Sequence, residues 1–200
     1  MNNTNLRLCC PCHFGLESVL KYEINKIGGT NLSVSDGKIS FDGDFNILAR
    51  ANLCLSTAER VLIELAEFNA YSFEDLYQGV KAIPFENFIG EKNAFPVKGY
   101  SLNSQLHSVP DCQSIVKKAV VKSMSRSYGQ DWFIEDGPVY KIEVGLLKDV
   151  VTLTIDTSGE GLHKRGYREH SGQAPLKETL AAAMVLLSKW RGEQTLIDPC

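Results

Sequence analysis

Two clusters of permanent positive charge are the residues of this chain best suited to chemistry, and the chemistry they suit is phosphate recognition. Lys118, Lys122 and Arg126 recur every fourth residue, with Lys117 alongside. On a helix that spacing lines one face. Val116, Val120 and Met124 define a different, apolar face, so the cations have a support with its own packing side. The second cluster is Gly161-Leu162-His163-Lys164-Arg165-Gly166-Tyr167-Arg168, which puts three cations, a histidine and an aromatic ring into eight residues with glycine on either side of the histidine and first two cations. A guanidinium binds phosphate with two donors or stacks on a base, and a tyrosine ring offers a π face. Either cluster also admits a plainer reading as a solvated basic surface.

Covalent catalysis finds little support. Cys112 and His107 are close in sequence, but no Gly-x-Ser-x-Gly elbow or cysteine-histidine signature surrounds them. No phosphate-cradling Walker loop is present, and Gly28-Gly29 reads as a helix stop. The acidic residues from Glu59 to Glu91 are dispersed and read as a solvated surface. Of six cysteines, Cys9, Cys10 and Cys12 crowd one segment, with His13 the only nitrogen ligand close by. Zinc wants paired Cys-x-x-Cys or Cys/His spacing, so reduced, buried thiols are expected and no metal.

The bulk numbers agree with a globular protein. The chain has 200 residues, 44% hydrophobic and 22% charged, with a net charge of −3. That balance argues against coating nucleic acid by bulk charge but leaves room for a local basic patch. No apolar run approaches the ~20 residues of a membrane span. The N-terminus lacks the basic-then-apolar order of a signal peptide, so a cytoplasmic location is expected.

The elements that must position the basic clusters are legible in the patterning. Residues 6–10 form a strand candidate, and Leu16, Val19, Leu20, Ile24 and Ile27 mark a helix. Asp36-Gly37 between residues 32–34 and 38–41 is a hairpin signal, because the turn needs positive φ. A helix over 44–57, with Asp44 as its cap, and a strand over 61–65 complete a β-α-β-β-α-β order, the ferredoxin-like arrangement. Beyond it, a helix over 72–82, a strand over 94–100, a helix over 111–127 and strands over 139–147 and 150–155 make a second small α/β unit. Residues 159–173 form a polar connector. A helix then opens at Ala174-Pro175-Leu176, with Leu176, Leu180, Ala183, Leu187 and Trp190 on one face, and residues 195–200 look like the start of a strand.

The junction motif 161–168, together with Ala174-Pro175-Leu176-Lys177-Glu178-Thr179-Leu180-Ala181-Ala182-Ala183, closely resembles the junction in THUMP-containing RNA guanine-N2 methyltransferases. The nearest group is the bacterial type acting on 23S ribosomal RNA. Phe95-Pro96-Val97 and Ser108-Val109-Pro110-Asp111-Cys112-Gln113-Ser114-Ile115-Val116-Lys117-Lys118 look like the THUMP half, and Phe14-Gly15-Leu16-Glu17 like the start of the N-terminal ferredoxin-like domain. The resemblance implies an α+β chain of four parts. These are a ferredoxin-like domain over 1–66, a THUMP domain over 67–158, a basic junction and linker helix over 159–192, and at 193–200 the first strand of a Rossmann-like methyltransferase domain. In the family that strand runs into the S-adenosylmethionine loop, of which only Asp198, Pro199 and Cys200 stand here. The family's later Asn-Pro-Pro-Tyr-type motif, which holds a flipped-out guanine, has no match, so no catalytic residue is carried over.

By this resemblance the chain is an RNA-recognition region of an S-adenosylmethionine-dependent methyltransferase, not catalytic by itself and with no cofactor bound. Its implied partner is structured RNA, foremost ribosomal, and no membrane partner is expected. The RNA-contacting residues expected are Lys117, Lys118, Lys122, Arg126, His163, Lys164, Arg165, Tyr167 and Arg168, with helix and junction forming one surface. The open alternatives are the THUMP region of a transfer-RNA guanine-N2 methyltransferase, a stand-alone RNA-binding adaptor, and a ferredoxin-like module that binds a small molecule or a protein.

Overall fold

Buried apolar side chains set the first sheet. Leu6, Leu8 and Cys10 of β1 (Leu6–Pro11) turn inward, as do Ile39 and Phe41 of β3 (Lys38–Gly43). The two strands pair antiparallel with Leu8 opposite Phe41, and β2 (Thr30–Ser35) pairs with the other edge of β3. The β2–β3 turn is the expected Asp36-Gly37, with Gly37 at φ +73°. Helix α1 (Glu17–Ile27) buries Val19, Leu20, Ile24 and Ile27 and stops at Gly28, whose φ of +97° suits a residue without Cβ. Helix α2 (Phe45–Cys54) starts where the Asp44 carboxylate accepts the Ile47 N–H at 2.9 Å. Glu23 of α1 accepts both the N–H and the hydroxyl of Ser56 and of Thr57, fixing the chain as it leaves α2.

The computed structural model describes residues 5–166 and 175–197. It divides the chain into two compact units, the described parts of Met1–Val61 with Ser158–Cys200, and Leu62–Thr157. The first unit ends in helix α5 (Glu178–Leu187).

In the second unit, β4 (Leu62–Asn69), β7 (Val150–Asp156) and β6 (Ile142–Leu147) run antiparallel in that order, and β5 (Val97–Leu102) joins β6 in parallel. The strand expected over 61–65 is thus longer, and within this unit it pairs with β7. The β6–β7 hairpin turns on Lys148 and Asp149 at φ +52° and +64°, two left-handed residues without glycine. The strain is held by the Ser104 hydroxyl, which accepts the Asp149 N–H, and by the Asp149 carboxylate, which accepts the Gln105 N–H. Helix α3 (Phe73–Lys81) begins in a reciprocal capping box of Ser72 and Asp75. Helix α4 (Val109–Tyr128) carries Pro110 in its first turn and ends at Gly129 in the left-handed region. Leu76 and Val80 of α3 and Val116, Val120 and Met124 of α4 pack with Phe95, Ile142, Val144 and Leu153 into one buried cluster.

Two expectations differ at the end of the chain. Helix α5 starts at Glu178, so Pro175 and Leu176 lie before it, outside the first turn. Of the face expected to pack, Ala183 is buried, while Leu176, Leu187 and Trp190 are exposed. Residues 195–197 form no strand, and 198–200 lie outside the described residues.

Candidate nucleic-acid interface

Helix α4 stands on its apolar side, and the Ser123 hydroxyl donates to the Ile83 carbonyl at 2.5 Å, locking its rotation. The charged residues therefore have fixed directions. Lys118, Lys122 and Arg126 are exposed, as their four-residue spacing requires. Lys118 Nζ lies 6.0 Å from the Tyr77 ring centre, and Lys122 Nζ 3.7 Å from the carboxylate of Asp131, itself largely in water. An ion pair so exposed is worth ~0–1 kcal/mol and yields readily to a phosphate. Arg126 makes no ion pair among the described residues.

Lys117 is a different case. Its ammonium lies 2.5 Å from Glu135, donates to the Phe95 carbonyl at 3.1 Å and sits 3.5 Å over the Phe95 ring. It therefore braces the loop after α4.

In the junction the chemistry divides again. Lys164 is exposed, with Glu160 at 3.2 Å. Arg165 is folded back. It donates to the carbonyls of Leu162 (3.0 Å), Leu53 (2.8 Å) and Leu55 (2.6 Å), the latter two among those that the end of α2 leaves without helical partners. His163 is half-buried, with Nδ1 3.6 Å from Glu59. Tyr167 and Arg168 lie outside the described residues, as do Asp198, Pro199 and Cys200.

Glu59 is the residue that sequence reasoning missed. Grouped with a solvated acidic surface, it is instead a hub. Its carboxylate accepts the hydroxyl of buried Thr179 at 2.7 Å and meets Lys177 at 3.4 Å, His13 at 3.0 Å and His163 at 3.6 Å. Its backbone carbonyl accepts the Leu162 N–H at 2.9 Å. Burial alone would raise its carboxyl, but the Thr179 hydroxyl, Lys177 and His13 outweigh that and hold it below the ordinary carboxylate value. No local signal announces this, because the partners Lys177 and Thr179 lie 118 and 120 residues away.

Cys10 and Cys12 offer no nucleophile. Burial raises Cys10 well above its ordinary value and Cys12 to about 11, with Glu17 and other neighbouring groups adding to the effect on Cys12. Both are therefore protonated near neutral pH. Among the described residues no three metal-ligating side chains gather, and no helix is long and apolar enough to cross a membrane.

Three family models match successive parts of the chain: the RlmL ferredoxin-like domain over residues 7–62, the THUMP domain over 70–156, and the RMKL-like methyltransferase domain over 165–200. These matches give the chain a ferredoxin-like domain and a THUMP domain, followed by a match to part of a methyltransferase domain. It is 47% identical over 194 residues to the Bacillus subtilis protein named "Putative RNA methyltransferase YpsC", covering 96% of this chain and 50% of that one. A Listeria monocytogenes crystal structure, described as "a predicted N6-adenine-specific DNA methylase", shares 47% identity at a TM-score of 0.89, over 94% of this chain and 49% of that one. The structure of SMU.472, "a putative methyltransferase complexed with SAH", shares 39% at 0.89, over 97% and 51%. The chain thus spans about half the length of the relatives it matches.

Proposed function

We propose that this chain is the RNA-recognition region of an S-adenosylmethionine-dependent methyltransferase whose target is a guanine N2 in 23S ribosomal RNA, and that the region does not itself catalyse. The observation that carries the reading is a THUMP domain whose longest helix holds Lys118, Lys122 and Arg126 on a fixed, exposed stripe. Lys164, with Tyr167 and Arg168, extends the set of RNA contacts. Lys117, His163 and Arg165, expected among them from sequence, have internal partners as well, and their share in RNA contact is proposed to be the smaller.

The chemistry of methyl transfer belongs to the whole protein. S-adenosylmethionine supplies the electrophilic methyl group, and the SAH-bound relative supports its use in the family. The residues that the resemblance assigns to it, Asp198, Pro199 and Cys200, fall outside the described residues. A cytoplasmic location agrees with a ribosomal substrate.

Two measurements test the reading. Fluorescence anisotropy of labelled 23S fragments with the 200-residue chain should show binding that weakens with salt. Transfer of labelled methyl groups to ribosomal RNA from cells lacking the gene should require the longer protein and yield N2-methylguanine. A methylated adenine, or activity on DNA alone, would overturn the assignment of target.

A further inference from the structure

The loop after α4 alternates between buried and bare side chains in a way that packing alone does not explain. Phe133 is buried, edge-on to Phe95 at 5.9 Å and to Tyr128 at 6.2 Å. Glu135 accepts the Phe95 N–H at 3.0 Å and holds Lys117. Between and beside these anchors, Trp132 is 80% exposed and Ile134 73% exposed. The indole is thus carried on a pinned segment with its own surface left to solvent. Beside it opens a groove of about 900 Å³ within the THUMP unit, with Pro96, Val97 and Val121 among its apolar lining. Its polar lining holds Lys118 and Gln113 together with two carboxylates, Glu135 paired with Lys117 and Asp131 near Lys122, and the half-buried Gln113 carboxamide has no hydrogen-bond partner among the described residues.

An aromatic face, an unpaired amide and an ammonium around one apolar groove match the three parts of a nucleotide. We propose that this groove takes a single unpaired nucleotide of the bound RNA, its base stacked on Trp132, its edge at the Gln113 amide and its phosphate at Lys118. A duplex keeps its bases stacked inside and cannot enter, so the groove selects loops, bulges or ends. A purely apolar protein segment would leave the Gln113 amide and Lys118 unanswered. The inference rests on the RNA-binding reading above and adds to it the state of the RNA at one point.

Trp132 and Trp190 are the two tryptophans of the chain, so the Trp190→Phe variant leaves Trp132 as sole indole emitter. Titrated with a short oligouridylate, it should lose emission with the midpoint given by anisotropy of the same labelled strand, and an RNA duplex of equal length should not quench it. Trp132→Ala should weaken single-strand binding about tenfold with the salt slope unchanged, since stacking and phosphate contacts are separate contributions. Trp132→Phe should recover part of the loss. Binding by anisotropy with unaltered emission, or full affinity in Trp132→Ala, overturns the groove while leaving RNA recognition standing. No binding of any RNA at low salt overturns both.

Discussion

Replacing Arg165 by alanine separates a structural role from an RNA-contacting one. The guanidinium joins three carbonyls, those of Leu162, Leu53 and Leu55, and so ties the junction to the end of α2. A hydrogen bond from a charged donor is worth ~1.5–3 kcal/mol. The three are not additive, and water can reach part of what alanine would uncover, so the loss expected is about 2–3 kcal/mol. For a chain of this size that lowers the melting midpoint by about 5–10 °C, readable by circular dichroism or calorimetry. Arg165→Lys keeps the charge but replaces the fork with a point donor that cannot span the three oxygens. It should lose most of the same stability. RNA affinity, measured well below the transition, should change less than twofold in both variants. An alanine variant that melts like the parent, yet binds RNA more weakly with a reduced salt slope, would refute the geometry and return Arg165 to the phosphate contacts.

Removing Lys118, Lys122 and Arg126 together should reduce the slope of log affinity against log salt by about 2, at ~0.7 per single-strand phosphate, with no loss of melting midpoint. Glu59→Gln should destabilise the first unit and flatten its acid limb. Because the folded carboxyl sits below its ordinary value of 4.5, its stabilisation is full above that pH and is lost as pH falls through the lower folded value. Melting midpoints across an acid series check this, and equal acid sensitivity in parent and variant would count against the hub. Gly99→Ala places a Cβ 2.4 Å from the Val144 carbonyl oxygen of the adjacent strand. It should cost about 1–3 kcal/mol in chemical denaturation, since the atom it meets is backbone of the paired strand and not the end of a flexible side chain.

Local chemistry in the sequence was enough for most elements. The Asp36-Gly37 turn, the Asp44 cap, the glycine stop of α1 and the four-residue beat of Lys118, Lys122 and Arg126 each act within a few residues, and each is present in the fold. The family resemblance likewise rests on contiguous motifs. Where sequence patterning fell short, the controlling partner was distant in the chain. Charge type gave no sign of the carbonyls that Arg165 meets, and made Glu59 look like solvated surface. Two carbonyl partners of Arg165 lie 112 and 110 residues away, and those of Glu59 come from strand exit, junction and helix α5. Trp132 carried no pattern at all, because its significance lies in Phe133 and Glu135 pinning the loop beside it. Sequence by itself determined which segments form helices and strands and where positive charge accumulates, since propensity, capping and periodicity are short-range. Only the tertiary structure decided which charges remain available to a ligand, because that depends on whether folding brings a carbonyl or carboxylate within reach of each donor.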